Sequence, residues 1–184
     1  MFREGATELC QGAVIQGALF PILDQREFGV LLTPECDLAQ GKADTVLLVA
    51  AFQFDDFVGQ MAFGDPRFQD DEGQLTRTPS KAALNSLRDK LAAIQRNTVP
   101  RYHWLERIPH GAGPFVVDFQ YLSCLVRAEA DAFVVIANLD DPYRSAVPAR
   151  YASYAGRIGV PDPDRSTLDE ARSEVLKVMF ESAS

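Results

Sequence analysis

The sequence predicts an α+β protein: a small curved antiparallel sheet or SH3-like β-barrel with flanking helices. Short apolar runs bounded by turn residues, at 14–23, 28–33, 45–52, 115–126 and 132–139, have the length and composition of strands. Two other segments, 79–96 and 166–181, repeat their apolar residues at helical spacing. The order of strands, helix, strands and helices, with no internal repeat or linker, predicts one domain over 1–184. Its barrel core spans about 12–139 with a helical insertion at 54–97, and C-terminal helices occupy 142–182.

Val14 to Leu23 and Phe28 onward form a hairpin across Asp24-Gln25-Arg26-Glu27, and Gly12 and Gly17 mark bends of the kind a barrel corner needs. Gly29 to Leu32 is a buried strand. Pro34 must end it, since proline has no N–H for the ladder and biases Thr33 toward extended geometry. Glu35, Cys36 and Asp37 are therefore delivered together at a rigid strand end. Gln40 to Asp44 is a turn, and Thr45 to Phe52 is the next strand. Phe54, Phe57, Val58 and Met61 indicate a short helix before a polar loop. Thr78-Pro79 then has the form of a helix cap with proline at the first position. On that helix Leu84, Leu87, Leu91 and Ile94 share one face, and Lys81, Arg88, Lys90 and Arg96 lie on the other.

Tyr102, Trp104, Leu105 and Ile108 precede a loop at 109–114, and Phe115 to Val126 is the second long strand region. Asp118 interrupts it. A carboxylate in a buried strand costs several kcal/mol unless paired, so Asp118 either faces outward or serves an arginine or a turn. Ala132 to Leu139 is a further strand or the start of the closing helices. Asp141-Pro142 starts a helix, Pro148 forces it to restart, and Ala149 to Ile158 continues with Tyr151, Tyr154 and Ile158 inward. Ser166 or Thr167 caps the last helix, on which Leu168, Val175 and Met179 share a face.

A net charge of -8 and a pI near 4.7 argue against a general nucleic-acid coat or an anionic-membrane binder, both of which exploit a basic field. Three cysteines without a CxxC pair fit neither a disulfide framework nor a zinc ribbon, and point to a reducing cytoplasm. The N-terminus has no apolar signal core, and no stretch approaches the roughly 20 apolar residues of a membrane span. No phosphate loop, dinucleotide fingerprint, H-E-x-x-H or G-x-S-x-G is present, and no cofactor is indicated.

The candidate chemistry gathers in two places. Thr33, Glu35, Cys36 and Asp37 lie at the strand end. Cys36 as a nucleophile would need a histidine or arginine to offset its acidic neighbours, and Asp37 has the alternative role of capping the turn that follows. Zinc from Cys36, Asp37, His103, His110 and Cys124 lacks the close ligand pairs of such sites, so no metal is assigned. The second place is Arg101, Tyr102, Trp104 and Arg107, with Tyr121, which combine cations with rings able to stack unpaired bases or pack in the core.

With the strands in place, the segment order resembles the PemK/MazF-like family of small SH3-like barrels found in toxin–antitoxin ribonucleases. Gly29-Val-Leu-Leu-Thr33, Thr45-Val-Leu-Leu-Val49, Phe115-Val-Val-Asp118 and Leu122-Ser-Cys124 carry the resemblance, over about half the chain. It implies an RNA-cleaving site in which a basic residue, here Arg26, acts with a hydroxyl near the end of the following strand. That strand ends Val49-Ala-Ala-Phe52, without serine or threonine, which leaves Thr33 as the polar candidate. The expectation is therefore a cytoplasmic accessory or protein-binding module of a bacterial stress, toxin–antitoxin or defence system, with a protein partner or a homo-oligomer. An endoribonuclease or other RNA-binding enzyme is the alternative.

Overall fold

In the computed structural model, residues 1–3, 8–76, 78–108, 111–130 and 132–156 are described, Gln25 and Arg26 by backbone alone. Seven strands form one antiparallel sheet: β1 (Phe2–Arg3), β2 (Ala13–Phe20), β3 (Gln25–Leu31), β4 (Thr45–Gln53), β5 (Tyr102–Leu105), β6 (Phe115–Val126) and β7 (Val134–Leu139). Their spatial order is β1-β7-β2-β3-β4-β6-β5. The sheet curls into a half-barrel, and its two ends approach each other where Met1 Sδ accepts a hydrogen bond from the Glu106 N–H at 3.1 Å. The helices are α1 (Glu35–Ala39), α2 (Phe54–Phe63), α3 (Lys81–Gln95), α4 (Arg127–Ala130) and α5 (Tyr143–Ala155). The expected last helix at 166–181 lies outside the described residues.

The run Thr45 to Gln53 is apolar almost throughout because β4 is buried on both faces. Val46, Leu48, Ala50 and Phe52 join one core with Ile15, Phe20, Leu31, Phe57, Ile94 and Val116. Val49 and Ala51 join the other, with Val14, Val30, Phe115, Val117, Phe119, Leu139 and Val147. Residues from α2 and α3 cover the first face and residues from α5 the second. Ala132 to Leu139 resolves as strand β7.

Two irregularities bend the sheet. The β2–β3 register shifts between Ile15 and Ala18, where Gly17 has φ +82°, a conformation that costs glycine little and side-chain-bearing residues more. In β6, Ala50 faces Asp118 and Val49 faces Leu122, so Phe119 to Tyr121 are lifted out of the ladder with β4. The Asp118 carboxylate accepts the Gln120 N–H at 3.1 Å, and the Phe119 N–H donates to the Arg101 carbonyl at 3.0 Å. Two of the N–H groups in the bulge thus stay bonded.

The free edge of β5 is closed by other parts of the chain. The Tyr102 N–H donates to the Val99 carbonyl, the Trp104 N–H to Asn97 Oδ1 at 2.7 Å, and the Tyr102 carbonyl accepts from Arg150 Nη2 at 2.9 Å. These groups point away from β6 in the alternation of an antiparallel ladder.

Three local expectations change. The α3 cap is Ser80, whose hydroxyl accepts the Ala83 N–H at 3.1 Å, in place of Thr78; its extended backbone makes Lys81 the first helical residue. Helix α5 runs through Pro148 without a restart. The buried Val147, with Tyr151 and Tyr154 against Phe119, offsets the single hydrogen bond that proline removes. After Pro34 the chain forms the short helix α1, where a simple turn is expected, and Arg127 Nη1 caps its Leu38 carbonyl at 2.6 Å.

Candidate functional site

The strand end that the sequence singles out is built mainly from structural contacts. Thr33 is buried, and its Oγ1 accepts the Leu47 N–H at 2.8 Å, so the hydroxyl extends the β3–β4 ladder one rung past the last backbone bond. Glu35 Oε2 accepts the Gln11 N–H at 2.9 Å and ties α1 to the turn before β2. Cys36 is exposed, with its thiol 3.6 Å from Asp37 Oδ1. The Asp37 side chain does not cap the next turn; its main-chain carbonyl does so, accepting from Lys42 and Ala43. The nearby Cys10 is buried, and burial followed by the Glu35 charge pushes its thiol pKa up, away from reactivity. Arg26 is a β3 residue opposite Leu19. Among the described residues no group of three or more His, Cys, Asp and Glu side chains could hold a metal ion.

The second cluster is drawn together more tightly. Asp118 finds its arginine in Arg101, through Nε–Oδ1 at 2.8 Å and Nη2–Oδ2 at 2.6 Å. Bidentate pairing satisfies a carboxylate whose side chain is 3% exposed, and these bonds push the Arg101 pKa up, keeping it charged. The guanidinium stacks on Tyr102 at 5.0 Å and on Tyr121 at 6.0 Å. Phe52, Phe57, Gln60 and Met61 complete a cleft of about 140 Å³ beside the pair. The rings expected to stack bases are occupied: Phe57 meets Tyr102 edge-on at 5.2 Å, Phe54 meets Trp104 at 5.0 Å, and Phe52 meets Tyr121 at 5.8 Å. Arg107 lies apart from this cluster, its Nη1 3.5 Å from the Gly111 carbonyl.

Behind Tyr102, on the α5 face, lies a residue that the sequence names only as a metal or base candidate. His103 is 3% exposed, and neither ring nitrogen has a hydrogen-bond partner among the described residues. Burial, with the nearby Arg150 charge second, holds its pKa down at about 4, so the ring is neutral at pH 7. Strand alternation in Tyr-His-Trp-Leu is the signal for its inward side, because Tyr102 and Trp104 must share the opposite face.

The largest opening among these sites lies along α3. Phe54, Leu84, Leu87, Arg88, Leu91, Ala92 and Gln95 line an open groove of about 340 Å³. The leucine face expected to be buried is covered unevenly: Ile94 is 2% exposed and Leu91 packs against the first core, whereas Leu84 is 43% exposed. Periodicity identifies such a face but not how far the rest of the chain covers it.

No protein-family model, curated protein or solved structure matches this chain. The PemK/MazF resemblance therefore rests on the strand patterns that suggested it. No helix among the described residues is long and apolar enough to cross a membrane.

Proposed function

We propose that this protein is a non-catalytic, accessory protein-binding module that engages its partner across the α3 groove. The observation that carries the reading is the groove beside Phe54, in which Leu84 is 43% exposed and Leu87 and Leu91 are only half-buried. An apolar stripe at i, i+3 and i+7 is the form in which helical surfaces bind other proteins. The candidate catalytic groups support the same reading: the Thr33 hydroxyl is engaged in the ladder, and Cys36 has Asp37 as its neighbour while His103 is buried under α5. The free thiols of Cys10, Cys36 and Cys124 support a cytoplasmic setting. The PemK/MazF resemblance supports a stress, toxin–antitoxin or defence system.

The test is site-specific photo-crosslinking in cells that make the protein. A photoreactive residue at position 84 is expected to give a discrete protein adduct that Leu91→Glu suppresses. The same residue at Ile22, an apolar side chain that is 74% exposed, serves as control. No adduct at 84, or identical adducts at 84 and 22, would overturn the reading.

A further inference from the structure

Taking the α3 groove as the binding surface, we infer that its occupant is an amphipathic helix of a partner protein, with leucine-class residues on one face and Asp or Glu along its flank. The length argument comes first. Leu84 to Gln95 spans eleven helical steps, about 16 Å at 1.5 Å per residue, which matches three turns of a docked helix. Within that span the groove offers leucines at intervals of three and four, with the Phe54 ring as its far wall. A helix presenting apolar residues at i, i+3 or i+4 and i+7 fills such a surface, because its own ridges repeat at the same spacing.

Charge selects the flank. Arg88 is the one charged side chain lining the groove among the described residues, and it is exposed. Lys81 lies three residues before Leu84 and seven before Arg88, on the same helical stripe, and Arg96 follows Ala92 by one turn. Asp89, the sole acidic residue of α3, lies off this stripe. In a chain with a net charge of -8, the cations Lys81, Arg88 and Arg96 along the α3 side of this groove favour acidic partners there and repel basic ones. The neighbouring cation Lys90 does not line the groove, and its charge acts on the Asp65 carboxylate. Arg88 has no hydrogen-bond or ion-pair partner among the described residues, so its charge is available to the occupant.

Trp104 provides a reporter, since it is the single tryptophan and packs edge-on against Phe54 at 5.0 Å. The probe is a synthetic fifteen-residue helical peptide without aromatic residues, leucine at the groove-facing positions and glutamate on the flanks; its twin carries lysine instead. The glutamate peptide is expected to change Trp104 emission saturably, and the lysine twin to bind about tenfold more weakly, as two rim charges reversed at surface strength imply. In the double variant Lys81→Glu/Arg88→Glu the preference should reverse. Leu84→Glu should abolish binding while circular dichroism shows the fold retained, as expected for a half-exposed site.

Equal binding of the two peptides, no binding of either, or binding unchanged by Leu84→Glu would overturn the inference. So would a concentration-dependent dimer, seen by sedimentation and dissolved by Leu84→Glu, because the occupant would then be a second copy of this chain. A crosslink at position 84 alongside failure with both peptides would reject the acidic helix and leave the binding-module reading standing. Absence of the crosslink would reject the module itself.

Discussion

Acidification should destabilise this protein through His103, starting above the range in which most carboxylates titrate. The imidazole projects from β5 and is 3% exposed, and the charge that acts on it is that of Arg150 on α5. Its folded pKa is lowered from 6.5 to about 4. Between those values the unfolded chain takes up a proton that the folded chain refuses, so stability increases with pH across this window and is flat above it. The full span amounts to roughly 3 kcal/mol, of which about 2 kcal/mol is lost between pH 7 and pH 5. Against a typical stability of about 5–15 kcal/mol that is a large loss. Urea titrations at half-unit intervals from pH 7.5 to 4.5 measure it directly. His103→Leu has no ring to protonate, so its stability should hold nearly level from pH 7 to 5, whatever its absolute value. A wild-type protein equally stable at pH 7 and 5, or a His103→Leu variant with the same acid loss, would refute the reasoning.

The Arg101–Asp118 pair gives a second expectation. Arg101→Met leaves a buried carboxylate without its counter-ion and should cost on the order of 3 kcal/mol, whereas Arg101→Met/Asp118→Leu should recover much of that loss in the same urea titration. A third concerns the strand end. Thr33→Val keeps the shape but strands the Leu47 N–H, costing about 1–2 kcal/mol, and hydrogen exchange at the Leu47 amide should accelerate while amides of β2 change little.

Much of the sheet was legible because its signals are local. Unbroken apolar runs such as Thr45 to Phe52 have few alternatives to a strand buried on both faces, and Gly12 and Gly17 do sit at positive φ near the bends. Asp118 was legible as a residue in need of a partner, but not which arginine would serve it, since Arg101 is seventeen residues away. The misplaced cap had the same origin as the sound predictions: Thr78 and Ser80 both carry a capping hydroxyl, and only the backbone geometry chooses between them. Pro148 shows a propensity overridden by packing. The site readings depended on what covers each residue. Tyr102 and Trp104 read as stacking platforms until α2 lays Phe57 and Phe54 against them, and the α3 leucines read as core until Leu84 is found in the open.

The closed rim of β5 bears on how this chain behaves when crowded. An exposed strand edge is a template on which another chain can add, and repetition of that step is how sheets grow into fibrils. Here a left-handed asparagine at φ +56°, an arginine from α5 and the N-terminal methionine take up the donors and acceptors that such growth would use. With those groups engaged, contacts between molecules at that rim draw more on side chains, which discriminate among partners, than on backbone, which pairs with any sequence. Asn97 and Arg150 thus occupy edge groups of β5 from positions that look unrelated to it in the sequence.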